Sequence, residues 1–120
     1  MKSFSLFIAL IILGISSCRN EISKKDFIGS WKLLDTLAGD PGIKRVTFSK
    51  ENILILETII NGQVYEKMNM TYELTPDHKF LISKRDTSEF KFEIIKITAR
   101  EFEIKPANQK RIFHYARLNS

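Results

Sequence analysis

The side chains best suited to chemistry are few and widely spaced in this sequence. It contains one cysteine, Cys18, and two histidines, His78 and His114. These numbers exclude a framework of disulfides and any zinc site with several cysteine ligands. The sequence also lacks Gly-x-Ser-x-Gly, His-Glu-x-x-His and a glycine-rich phosphate loop. We therefore predict that the protein is not an enzyme and that it holds no metal and no cofactor.

Both histidines have simpler interpretations than catalysis. His78 follows Pro76 and Asp77 in a predicted turn, where a solvated side chain is expected. His114 belongs to a predicted strand, and it faces outward if Arg117 of the same strand faces inward.

The residues before Cys18 indicate export. Lys2 gives a positive start, and residues 4–15 are almost entirely apolar. This stretch is too short to cross a bilayer as a helix, which takes about 20 residues, but it is typical of a secretory signal. Its exit, Leu13-Gly14-Ile15-Ser16-Ser17-Cys18, resembles the bacterial lipobox. That resemblance implies cleavage before Cys18 and acylation of its thiol and amine; the alternative is an ordinary signal followed by a stray thiol.

The chain then divides into three predicted parts. Residues 1–17 form a lipoprotein signal peptide, residues 18–26 a lipidated cysteine with a short polar tether, and residues 27–120 one domain. The signal holds one of the 19 basic residues and none of the 14 acidic ones, so its removal lowers the formal net charge from +5 to +4. The remaining bases are scattered, which argues against nucleic-acid binding. We expect a lipid-anchored protein of the bacterial cell envelope. Arg19 differs from the acidic inner-membrane retention signal, which favours the outer membrane.

Alternation of apolar and polar residues dominates the domain. Apolar side chains share one face of two runs, which is typical of strands with one buried face. They are Val64, Met68, Met70, Tyr72 and Leu74 in residues 63–74, and Phe90, Phe92 and Ile94 in residues 89–98. Turn signals separate such runs, and Asn61-Gly62 is a strong hairpin signal. The pattern predicts eight strands, at residues 29–37, 43–49, 52–60, 63–74, 78–85, 89–98, 101–106 and 110–118. Short connections favour antiparallel pairing in sequence order, and closure would remove the exposed edges.

The first strand carries a resemblance to a known family. Phe27-Ile28-Gly29-Ser30-Trp31 contains Gly-x-Trp after an aromatic and an aliphatic residue, which resembles the opening motif of lipocalin-like (calycin) barrels. The resemblance implies an all-β fold, an antiparallel eight-stranded up-and-down barrel. It also implies that Trp31 plugs one end and that an arginine of the last strand packs across it, for which Arg117 is the candidate. This family typically has a helix after the last strand, and residues 27–120 predict none there.

The interior of such a barrel is the candidate binding site, and two functions compete for it. One is the binding of a small apolar ligand, such as a lipid or fatty acid, through the mouth opposite Trp31. We then expect the apolar part of the ligand to contact Met68, Met70, Phe80 and Phe92. The Tyr72 hydroxyl is expected to contact its polar group. The alternative is a solid barrel that acts through its outer surface on a protein partner or a second copy of itself. Residues 52–60 are apolar on both faces, and we expect residues 22–27 or a second subunit to cover the outer one.

Overall fold

Eight antiparallel strands close into an up-and-down barrel in a computed structural model that describes residues 22–35 and 42–118. A short 3-10 helix, Lys24–Asp26, precedes the strands. The strands are β1 Gly29–Leu33, β2 Ile43–Phe48, β3 Ile53–Ile60, β4 Gln63–Leu74, β5 Phe80–Arg85, β6 Ser88–Ile97, β7 Glu101–Pro106 and β8 Phe113–Arg117. The predicted signal peptide and Cys18 lie outside the described residues.

Every strand pairs with its neighbours in sequence, and β1 pairs with β8 to complete the ring. Trp31 lies opposite Arg117 in that last pairing, and Leu33 lies opposite Tyr115. The predicted all-β fold with eight antiparallel strands in a closed barrel is therefore confirmed. Closure leaves none of these strands with an unpaired edge.

The hairpin turns explain why the strands end where they do. Asn61 and Gly62 both have positive φ, 53° and 80°, as a two-residue hairpin turn of the primed type requires. Asn52, His78 and Asp86 also have positive φ, and these residue types tolerate that conformation better than most. The predicted Asn-Gly hairpin thus joins β3 to β4.

The two ends of the barrel differ, and we name them by the segments that form them. The closed end consists of residues 22–28 and the connections at 49–52, 75–79 and 98–100. The mouth consists of the opposite connections, whose described parts are residues 34–35, 42, 61–62, 86–87 and 107–112. Strand β1 runs from the closed end towards the mouth.

In strand β5, the side chains that face the interior are the ones that the sequence predicts to face solvent. Phe80 was expected to face the interior, whereas Leu81 and Ser83 do so, with side chains 1% and 2% exposed. Leu81 pairs with Leu74, and Ser83 pairs with Tyr72. The connection before β5 uses residues 75–79, with His78 at positive φ, and β5 begins at Phe80. A shift of one residue in where a strand begins turns every side chain to the other face.

Residues 22–27 do not cover the outer face of β3. Phe27 is fully buried in the core, and Ile22 packs against that core at the closed end. The outward-facing Ile53 and Ile55 remain partly exposed beside polar neighbours on β2 and β4. The expectation that this segment covers β3 is therefore wrong, because its aromatic residue gains more by filling the end of the barrel.

Candidate functional site

A cluster of aromatic rings fills the closed end. Trp31 is fully buried, and its indole Nε1 donates a 2.9 Å hydrogen bond to the carbonyl oxygen of Phe27. The ring centroid of Phe102 lies 4.8 Å from that of Trp31 and 5.4 Å from that of Phe27, both in edge-on geometry. Edge-on contacts of this kind stabilise aromatic pairs beyond the burial of their area. This end of the barrel is therefore packed solid.

Arg117 holds that cluster in place. Its guanidinium carbon lies 4.1 Å from the ring centroid of Trp31. The three guanidinium nitrogens donate to three carbonyl oxygens: Nε to Ala99 at 2.7 Å, Nη1 to Ile28 at 2.8 Å and Nη2 to Asp26 at 3.0 Å. The structure thus brings together the two residues that the family resemblance singled out for closure.

Gly29 makes room for this arginine. Its φ is +127°, and a Cβ at this position would lie 2.5 Å from Nη1 of Arg117. A larger residue would therefore need both a strained backbone and a displaced guanidinium. The glycine of Gly-x-Trp and the arginine of the last strand depend on each other.

A cavity of about 330 Å³ lies above the aromatic cluster. Its walls are almost wholly apolar and come from all eight strands. They include Leu33, Val46, Leu54, Leu56, Met68, Met70, Leu81, Ser83, Phe90, Phe92, Ile104, Phe113 and Tyr115. Met68 and Phe90, on the side towards the mouth, are 37% and 47% exposed, so the cavity is open there. The barrel is therefore hollow between a solid closed end and an open mouth.

The predicted lining residues divide into two groups. Met68, Met70 and Phe92 line the cavity, as the alternation of their strands implies. Tyr72 and Phe80 do not. Phe80 faces outward, with Nζ of Lys91 4.3 Å from its ring centroid, because of the reversed facing of β5.

Tyr72 belongs to the solid end of the barrel. Its ring centroid lies 5.0 Å from the ring centroid of Phe48. Its hydroxyl donates a 2.5 Å hydrogen bond to the carbonyl oxygen of Ser49. Burial of this side chain, with a smaller contribution from the charge of Glu51, raises the pKa of Tyr72 above its usual value. Since the hydroxyl already has a partner, the prediction that it meets a ligand is corrected.

Tyr115 is the tyrosine that does reach the cavity. Its ring stacks on Phe102, with centroids 4.5 Å apart and planes 13° from parallel. No described residue forms a hydrogen bond with its hydroxyl. Burial, helped by the charge of Asp35, raises the pKa of Tyr115 to about 12, so the hydroxyl stays protonated at neutral pH. Alternation along β8 puts Tyr115 on the same face as Arg117, but alternation does not distinguish the height of Tyr115 in the barrel from that of Tyr72.

A second, more polar space of about 530 Å³ lies between the cavity and the mouth, and we call it the vestibule. Its residues include Lys44, Glu57, Thr58, Glu66 and Arg85, and it shares Leu33, Val46, Leu56, Met68 and Tyr115 with the cavity. Nζ of Lys44 donates a 2.8 Å hydrogen bond to Oγ1 of the buried Thr58. A molecule lying through both spaces would place its apolar part among apolar walls and its other end among charged groups.

The two histidines lie outside these spaces. Nδ1 of His78 contacts the carbonyl oxygen of Ile22 at the closed end. His114 lies on the outer surface, where its backbone N–H donates to Oδ2 of Asp35 at 2.6 Å and its Nδ1 lies 3.1 Å from Oδ1. Within residues 22–35 and 42–118, no group of three or more His, Cys, Asp or Glu side chains is arranged to hold a metal ion.

Comparison of the chain with protein-family models, curated proteins and solved structures finds no match. Across the described residues, no helix has the length and apolar character that crossing a membrane requires.

Proposed function

We propose that this protein is a lipid-anchored, lipocalin-like barrel that binds a small apolar molecule and catalyses no reaction. The cavity of about 330 Å³ is the observation that carries the proposal. Small-molecule sites commonly measure about 300–1,000 Å³ and combine apolar walls with a few polar groups. Here Ser83 and Tyr115 supply polar atoms to a cavity that is otherwise apolar.

The apolar cavity lies deeper in the barrel than the polar vestibule, and this arrangement indicates the chemistry of the ligand. Apolar surface buried in the cavity gains about 25 cal/mol per Å² removed from water. The vestibule above it is lined by the side chains of Lys44, Glu66 and Arg85, whereas the carboxylate of Glu57 is paired with Arg45. An elongated amphiphile, such as a lipid or fatty acid, matches that order with its tail inward and its polar end outward.

Anchoring is the second part of the proposal, and it rests on sequence. Residues 13–18 resemble a lipobox, which supports acylation of Cys18 and a place in the bacterial cell envelope. Two or three acyl chains anchor a protein firmly, whereas a single chain binds only marginally.

Native mass spectrometry of the purified protein tests ligand binding. We expect a co-purifying molecule of a few hundred daltons that leaves on mild activation or organic extraction. A bare protein mass in every preparation, with no adduct after incubation with fatty acids or phospholipids, would count against binding.

A second candidate function is recognition of a protein partner, or of a second copy of the chain, through the outer surface. Ile43, Ile59 and Val64 form a row across three strands near the mouth, beside Tyr65, which is 73% exposed. Exposed apolar patches of this kind favour interaction sites. Light scattering during size-exclusion chromatography tests self-association, and a monomer at every concentration would leave only a different partner.

A further inference from the structure

The described chain begins at the closed end of the barrel. Ile22 packs against the core there, and its carbonyl oxygen contacts Nδ1 of His78 in the connection at 75–79. Two residues later, Nζ of Lys24 donates a 2.7 Å hydrogen bond to the carbonyl oxygen of Lys50 in the connection at 49–52. The segment that leads back to Cys18 therefore leaves the barrel beside its solid end.

The distance from Cys18 to Ile22 is short. The four-residue step between them spans at most about 14 Å, because an extended chain covers about 3.3–3.6 Å per residue. Strand β6, with its ten residues, separates the two ends by about 30 Å along the strand, or roughly 23 Å along the axis at the usual tilt. Cys18 therefore cannot reach the mouth.

Charge distinguishes the two ends as well. Each of the four segments at the closed end carries at least one cation, and the five are Lys24, Lys25, Lys50, Lys79 and Arg100. Three carboxylates accompany them, those of Asp26, Glu51 and Asp77. The described connections at the mouth carry two cations and two carboxylates, those of Lys110, Arg111, Asp35 and Asp86. The connections at the closed end are therefore more positive than the described connections at the mouth, where the cations Lys44 and Arg85 lie inside the vestibule.

We infer that the closed end rests on the anionic lipid surface of the membrane that holds the anchor, and that the mouth opens away from it. This inference rests on the proposed acylation of Cys18. Clustered lysine and arginine side chains favour contact with anionic headgroups within about one Debye length. A ligand then exchanges between the cavity and the aqueous side, and it does not pass directly from the membrane beneath.

Energy transfer from matched positions at the two ends tests this orientation. Ala99→Cys and Thr87→Cys each introduce a thiol in an exposed turn, at the closed end and the mouth respectively. The acylated protein, labelled at either thiol, is reconstituted into vesicles of phosphatidylethanolamine with phosphatidylglycerol as the minority lipid and an acceptor on the headgroups. We expect severalfold stronger transfer from residue 99 than from residue 87. Equal transfer, or stronger transfer from residue 87, would overturn the orientation.

Charge variants of the same labelled protein test the role of the lysines. Lys25→Glu with Lys50→Glu should reduce the difference between the two labels, whereas the matched pair Lys67→Glu with Lys110→Glu should leave it unchanged. All four lysines are exposed, so none of these substitutions places a charge in the core. An unchanged difference in both pairs would remove the electrostatic part of the inference.

Two further readings on the same preparation separate this inference from the proposed function. An unacylated Cys18 in the mass spectrum overturns both the anchor and the orientation. Loss of apolar-probe binding with the expected transfer pattern contradicts ligand binding alone. Normal probe binding with equal transfer contradicts the orientation alone.

Discussion

Arg117 of β8 contacts two parts of the chain that are distant from it in sequence, residues 26–31 and the β6–β7 connection. Its guanidinium lies over Trp31 of the first strand and donates to carbonyl oxygens of the N-terminal segment and of the β6–β7 connection. A planar group with several fixed donors suits this position, whereas an ammonium has neither the plane nor the reach. The single side chain therefore couples barrel closure to the sealing of the closed end.

We expect Arg117→Lys to lower the free energy of unfolding by about 2 kcal/mol, because it loses the stacking and at least one charged hydrogen bond. Chemical denaturation measures this difference. Arg111→Lys is the matched control, since Arg111 also lies over a ring, 4.9 Å from the centroid of Phe113, but is exposed. Equal effects of the two substitutions would refute the special role of Arg117.

Gly29 leads to a second prediction at the same scale. Gly29→Ala should destabilise the protein more than Gly62→Ala, although both glycines have positive φ. A Cβ at Gly62 meets nothing within 4 Å, so its cost is the backbone strain of about 1–2 kcal/mol alone. A Cβ at Gly29 also displaces Arg117. Thermal melts of both variants decide this, and similar losses of stability would show that the contact is unimportant.

At the scale of the elements, Asp35 ties the end of β1 to β8. Burial alone would raise its pKa, but the hydrogen bonds from the backbone and ring of His114 hold the pKa of Asp35 below its usual 3.8. A carboxyl whose pKa falls on folding stabilises the fold above that usual value and loses this contribution as the pH falls through the lowered pKa.

We therefore expect Asp35→Asn to reduce stability at neutral pH and to make stability less dependent on pH below about pH 4. Urea denaturation across this range measures both effects. Asp86→Asn is the control, because Asp86 lies in an exposed turn with positive φ that asparagine also adopts. Parallel pH curves for wild type and Asp35→Asn would contradict the role of this carboxylate.

The sequence predicts the elements better than it predicts their contacts. Alternation and the Asn61-Gly62 turn are sufficient for eight antiparallel strands, because both depend on local backbone geometry. The face that each β5 side chain occupies depends on how many residues the preceding turn uses, and the positive φ of His78 within that turn has no clear sequence signal. Alternation also gives the face of Tyr72 but not its height, which follows from the stagger of strands around the ring.

Across the whole molecule, the sequence leaves the choice between a hollow and a solid interior open. The inner face carries many large side chains. Whether they fill the interior depends on whether side chains from opposite strands are at the same height and contact each other across the barrel. Phe27, Trp31 and Phe102 pack together at one end, whereas the leucine, methionine and phenylalanine side chains that line the middle leave a space between them. The cavity is a consequence of that uneven distribution.

The anchor also belongs to this scale. Cys18→Ala should release the protein from the membrane fraction or leave its precursor unprocessed, because the acyl chains are the proposed attachment. Ser17→Ala keeps a small residue before the cysteine and should remain membrane-bound. Fractionation with mass spectrometry compares the two variants. An acylated, membrane-bound Cys18→Ala protein would exclude the lipobox interpretation.

Fluorescence titration with an apolar fatty-acid probe tests the central claim, that the hollow interior binds a ligand. Burial of about 300 Å² of apolar surface contributes about 7.5 kcal/mol before the cost of association is subtracted, so this term alone sets the micromolar range as the tightest affinity. Met68 and Tyr65 lie on the same strand, but only Met68 lines the cavity. We predict saturable micromolar binding. Met68→Trp should weaken it at least about tenfold, which is about 1.4 kcal/mol, whereas Tyr65→Trp should leave it unchanged. Absence of saturable binding, or equal loss in both variants, would contradict the claim.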